Sequence, residues 1–121
     1  MSAKSDLDFE VSFFESLSKR QPKDFKTLEV LAGLYTRAGR ISDGLRIDRR
    51  LVRLRPDHPT AHYNLACSLA LKKRKKEATE ALEAAIALGY RDLEWIERDG
   101  DFKSMRGYKP FERLLERLRR E

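Results

Sequence analysis

Proline stands 34 residues apart at Pro22 and Pro56. The same step carries Leu17 onto Leu51 and Ala85, Leu31 onto Leu65, and Phe13 onto Ile47 and Ala81. A period of this length limits the fold severely. A unit that small cannot bury its apolar side alone, so it must stack on copies of itself. The step stops after Tyr90, which leaves residues 91–121 as a different kind of segment.

The clearest unit is 58–90. Its first half carries His62-x-x-Leu65-Ala66-x-x-Leu69 and its second carries Ala78-x-x-x-Leu82, with a basic turn between them. Small residues at Ala66 and Ala78 allow two antiparallel helices to approach closely, and Leu65, Leu69 and Leu82 fill the space around that contact. The unit before it, 24–56, repeats the first half as Leu28-x-x-Leu31-Ala32-x-x-Tyr35, but Gly44-x-x-x-Asp48 is a poor match to the second.

This order and spacing resembles the tetratricopeptide repeat, whose outline is W-x-x-L-G-x-x-Y followed by A-x-x-x-F. Tyr63-Asn64-Leu65-Ala66 is similar to a common form of its first helix, while His62 and Leu28 stand where Trp is usual. The resemblance implies an all-α fold, a right-handed α-α superhelix of helix pairs. It divides one domain, 1–121, into a half repeat at 5–22, repeats at 24–56 and 58–90, and a C-terminal cap at 91–121. Gly89-Tyr90-Arg91-Asp92-Leu93, Asp101-Phe102 and Phe111-x-x-Leu114-Leu115 resemble the end segment that follows the last repeat in many bacterial proteins of this class. A last repeat needs such a cap because its outer face is otherwise apolar.

Local signals place the helices. The first is expected over 5–20, with Ser5 as its cap and Asp8 three residues on. Its stripe is Leu7, Val11, Phe14 and Leu17, and Phe9 and Phe13 widen that stripe into an arc too broad for one neighbour. Gln21-Pro22 ends it. The next helices are expected over 24–38, over 42–54 (capped by Ser42), from His58-Pro59 onward, and over 76–88, the last closed by Gly89. Shorter helices are expected over 92–97, 101–105 and 110–119, with Trp95 and Ile96 beneath the cap.

The 121 residues carry 26 Lys and Arg against 20 Asp and Glu, a formal charge of +6. Such a balance suits acidic partners or nucleic acid and says nothing about the fold. The basic run Lys72, Lys73, Arg74, Lys75 and Lys76 is a candidate phosphate patch, but an exposed turn between helices tolerates the same residues. No stacking aromatics are interleaved with it. Arg46, Arg50 and Arg53, with Arg49 beside them, form a second basic stripe on the third helix, read as a solvated outer face paired with local acids such as Asp48. His58 and His62 stand four apart without a third ligand nearby, so no metal site is expected. The one cysteine, Cys67, has no disulfide partner in the chain, no apolar leader opens the sequence, and no stretch is long enough to span a bilayer. These point to a reduced, cytoplasmic setting. No phosphate loop, dinucleotide loop or nucleophile motif is present, so neither catalysis nor a cofactor is expected.

The resemblance also implies where a partner docks, since the first helix of each pair lines the concave side. Glu29, Gly33, Thr36 and Arg37 would face it from the first full repeat, and Tyr63, Asn64, Cys67, Ala70 and Leu71 from the second. Chaperone-binding relatives hold a peptide carboxylate with Lys and Asn. Here Glu29 and Gly33 occupy those places and only Asn64 matches, which argues against a carboxylate clamp. The expected function is a non-catalytic protein-interaction module. The alternatives are a nucleic-acid-binding accessory protein using the basic stripes, and a self-assembly module forming a weak homodimer through the first helix.

Overall fold

The computed structural model describes residues 3–121. They form seven α-helices: α1 (Ala3–Arg20), α2 (Phe25–Arg37), α3 (Ile41–Leu54), α4 (Pro59–Leu71), α5 (Lys75–Ala87), α6 (Leu93–Arg98) and α7 (Lys109–Arg120). A 3-10 segment, Gly100–Met105, joins α6 to α7, and no strand occurs among the described residues. Helices α2/α3 and α4/α5 make two pairs. They stack through α3 against α4, with α1 before the first pair and α6, the 3-10 segment and α7 after the second.

The helix boundaries follow from side-chain and backbone chemistry. Asp24 caps α2 by accepting a hydrogen bond from the Thr27 backbone N–H at 3.2 Å. His58 caps α4 through Nδ1, which accepts from the Ala61 N–H at 3.1 Å, with Pro59 in the first turn. Two of the expected caps are corrected. Ser5 lies inside α1, which already runs from Ala3, and Ser42 lies in the first turn of α3, which starts at Ile41 after Arg40. In that place the Arg40 side chain bonds Asp43 at 2.9 Å, while the Ser42 hydroxyl accepts from Lys72. The tight turn inside each pair needs one left-handed residue. Gly39 supplies it in the first pair with φ +77°, and Lys73, one period later, supplies it in the second with φ +60°.

Close approach of the paired helices rests on small residues. Ala66 and Ala78 are both fully buried at the α4/α5 contact. In the first pair Gly44 takes the place of Ala78. A β-carbon there would sit 3.3 Å from Thr36 Oγ1 and 3.6 Å from Tyr35 Cβ, a tight fit that leaves no room for a larger side chain. Gly44 therefore satisfies the requirement for a small residue, although Gly44-x-x-x-Asp48 is a poor match to the repeat outline. Smallness is what the contact requires.

The two ends of the stack differ. At the C-terminal end Ile96, Phe102, Met105 and Phe111 are fully buried and join Leu114, Leu115 and Leu118 in the core around α4 and α5. Burying a large apolar side chain contributes about 1.5–3 kcal/mol. At the N-terminal end α1 packs on α2 through Val11, with Leu7 and Phe14 partly buried. The Tyr35 hydroxyl donates to Glu15 across this contact at 2.6 Å. Phe9 and Phe13 remain 70% and 50% exposed. Phe13 matches the buried Ile47 and Ala81 by period, but a complete repeat would cover it with a preceding helix.

Candidate functional site

The inner sides of α2 and α4 and the chain between α6 and the 3-10 segment enclose a cleft of about 430 Å³. Glu29, Gly33, Thr36 and Arg37 line it from α2, and Tyr63, Asn64, Cys67 and Leu71 line it from α4. These residues share a wall because spacings of three and four put them on one helix face. Ala70 does not belong with them. It is fully buried, with its carbonyl accepting from the Ser104 hydroxyl at 2.9 Å, because it points to the 3-10 segment packed on α4.

The floor and far rim come from residues that the repeat pattern does not single out. Asp48 and Ser68 form the floor. The Ser68 hydroxyl donates to the Asp48 carboxylate at 2.5 Å, and Asp48 is only 4% exposed. Burial pushes this carboxyl up to about 6, against the smaller opposing effect of the serine hydroxyl. Asp48 was expected to pair with the arginines of α3 on the outer face; that expectation is corrected, since its side chain turns inward toward α4.

Trp95, Asp99 and Asp101 make the far rim. Trp95 is 46% exposed, which corrects its expected burial under the cap; Ile96, next to it, takes the inward position of this short helix. Tyr63 stacks on Tyr90 with ring centroids 4.1 Å apart and donates its hydroxyl to Asp99 at 2.5 Å. Asp99 also caps the 3-10 segment by accepting from the Asp101 N–H. Burial, then the acceptor Asp99, push the Tyr63 hydroxyl far above its ordinary range. Burial, followed by the charges of Asp99 and Asp101, does the same to the Cys67 thiol, so Cys67 is a protonated packing group.

Cys67, Asp99 and Asp101 bring three possible metal-ligand atoms within 4.8 Å of one another. No local pattern points to this cluster, because Asp99 and Asp101 lie 32 and 34 residues after Cys67 and fall outside the repeats. In the fold these groups hydrogen-bond: the thiol donates to Asp99 at 3.7 Å. The histidines are used locally, His58 as a cap and His62 through Nε2, 2.7 Å from the Pro56 carbonyl.

The basic features lie away from the cleft. Lys72, Lys73, Arg74, Lys75 and Lys76 are all exposed, on the α4/α5 turn and the start of α5. Arg74 and Arg49 both pair with Glu77, at 2.8 and 3.2 Å. Arg46 pairs with Asp43, and Arg50 donates to the Pro22 carbonyl at 2.7 Å. Much of the basic stripe is therefore engaged with the protein itself. A second depression, between α5 and α7, is bordered by the Arg117–Glu83 pair at 3.0 Å and gathers none of the predicted groove residues.

A crystal structure of MamA superposes on the chain with a TM-score of 0.69 at 20% identity, covering 94% of this chain and 75% of that one. The MamA RS-1 ArsTM double mutant superposes with a TM-score of 0.67 at 14% identity, covering 96% and 70%. At these identities the likeness is one of fold: the chain is an all-α helical-repeat superhelix. No protein-family model and no curated protein matches the chain.

Proposed function

We propose that the chain is a tetratricopeptide-type interaction module that holds a protein or peptide partner in its concave cleft and performs no chemistry of its own. The observation that carries this reading is the cleft itself. Eight residues named from the repeat pattern share one open concave wall, opposite a half-exposed tryptophan. Tryptophan in a concave, partly polar setting is a common anchor of interfaces. The titratable groups favour binding over catalysis: Cys67 and Tyr63 are held neutral, and no His reaches them. No helix among the described residues is long and apolar enough to cross a membrane.

Gly33 gives a clean test. It lies exposed on the cleft wall, and a β-carbon there meets nothing within 4 Å. Gly33→Tyr therefore fills the cleft without disturbing the helix, and a non-glycine residue favours helix by up to about 1 kcal/mol. A partner captured from an extract of the native cells should bind the parent and be lost with Gly33→Tyr. Equal capture by both proteins would reject the cleft as the binding site.

A second reading rests on the exposed Phe9 and Phe13 of α1, an apolar face at the uncapped end. Self-association through α1 would cover it. Sedimentation over a concentration series should then show a dimer that Phe9→Glu abolishes; a monomer at every concentration would reject it.

A further inference from the structure

We propose that the occupant of the concave cleft is a cationic protein segment, one that places a Lys or Arg side chain between Trp95 and the carboxylates of Asp48, Asp99 and Asp101. This inference rests on the reading of the cleft as the partner site. The cleft wall carries four carboxylates, those three and Glu29, and one guanidinium, that of Arg37; of the four, Glu29 is already paired with Lys26 at 3.3 Å. This acidic excess is the reverse of the whole chain, whose formal charge is +6.

The pairing of these acids distinguishes them. On the outer surface Asp43 is paired with Arg40 and Arg46, Glu77 with Arg49 and Arg74, and Glu83 with Arg117. In the cleft, the Asp48 and Asp99 carboxylates accept hydrogen bonds from neutral groups only, and neither they nor Asp101 form an ion pair with a described residue. A chain with an excess of cations thus leaves these three cleft carboxylates, the buried Asp48 among them, without one. A buried charge lacking a counter-charge is unfavourable, and a cation brought by a ligand removes that penalty while its own attraction is strengthened by the low local polarity. Trp95 lies one helical turn before Asp99, so its half-exposed ring and the carboxylates form adjacent walls. An indole face beside carboxylates suits a guanidinium or ammonium head with an aliphatic stem. The arrangement disfavours the phosphates of nucleic acid in the cleft.

The test is selection of a random peptide display library on the whole protein, with Gly33→Tyr protein as counter-selection. Cleft-dependent binders should be enriched in Lys and Arg and depleted in Asp and Glu. The enriched peptide, made synthetically, should alter the emission of Trp95, the only tryptophan in the chain. Its binding should weaken at least about tenfold in the Asp99→Asn, Asp101→Asn double variant. Asn retains the capping oxygen at position 99, and an unchanged melting temperature will show that the variant is folded. Zinc chloride alone, titrated with the same readout, should produce no response that competes with the peptide. Cleft-dependent binders with no cationic enrichment, or undiminished binding by the double variant, would overturn the charge assignment and leave the cleft as the site. Displacement of the peptide by zinc would also overturn it, in favour of a metal. Failure to recover any binder that Gly33→Tyr rejects would overturn both readings.

Discussion

The N-terminal and C-terminal halves carry the same 34-residue unit but finish it differently. The C-terminal pair has Ala78 at the helix contact and the apolar Leu82 one turn on, and its open end is sealed by Phe102 and Phe111, both fully buried. The N-terminal pair has Gly44 and the buried Asp48 at the matching places, and its end is closed by one helix that leaves Phe9 and Phe13 exposed. One packing frame thus accepts substitutions of two kinds. One small residue can stand for another at the helix contact, whereas the charge in the leucine place borders the cleft and finds a hydroxyl.

The largest expected effect lies at the sealed end. Phe111→Ala removes a fully buried ring between the 3-10 segment and α7, and should cost about 3–5 kcal/mol. Phe9→Ala, the same change at the open end, should stay within about 0.5 kcal/mol. Chemical denaturation of both variants measures the contrast, and equal losses would show that the ends are not different in kind.

Asp48 should make the halves respond differently to pH. Its carboxyl is raised from 3.8 to about 6 in the fold. Between those values the folded chain holds a proton that the unfolded chain has released. Stability therefore falls as pH rises through this window and levels off above it. A shift of about two units corresponds to roughly 3 kcal/mol. Asp48→Asn keeps an acceptor for Ser68 and removes the titration. The variant should match the parent near pH 4 and exceed it by about 2–3 kcal/mol above pH 7. Parallel pH–stability curves for the two proteins would show that Asp48 does not titrate in this range.

The smallest expected effect is in the turns. Lys73 holds a left-handed backbone where the first pair uses Gly39. Lys73→Gly should stabilise by about 1 kcal/mol or less, the steric relief being partly offset by the flexibility glycine gives the unfolded chain. A lower melting temperature would mean that the lysine side chain contributes more than its backbone strain costs.

The helices were legible in the sequence because a period of 34 and an apolar spacing of three and four survive in any environment. The wall of the cleft on α2 and α4 was legible for the same reason, with Ala70 misassigned because the 3-10 segment that buries it lies outside the period. The far rim was not legible. Asp99 and Asp101 reach the cleft only because the aperiodic segment after α6 folds back on α4, and local pattern carries no record of that return. Trp95 was assigned to the core on apolarity alone, yet a helix of six residues offers few inward positions and Ile96 occupies one. The inward turn of Asp48 was hidden because an acid beside four arginines reads as a surface partner.

The most direct test of the account is the indole N–H resonance of Trp95, a single signal in a chain with one tryptophan. Titration with the captured partner, followed by two-dimensional nitrogen–proton spectra, should move that resonance together with the amides of Gly33 and Asn64 and leave those of Lys72, Lys73, Arg74, Lys75 and Lys76 in place. A stationary indole signal with shifts confined to the basic turn would contradict the account and locate the partner on the outer surface.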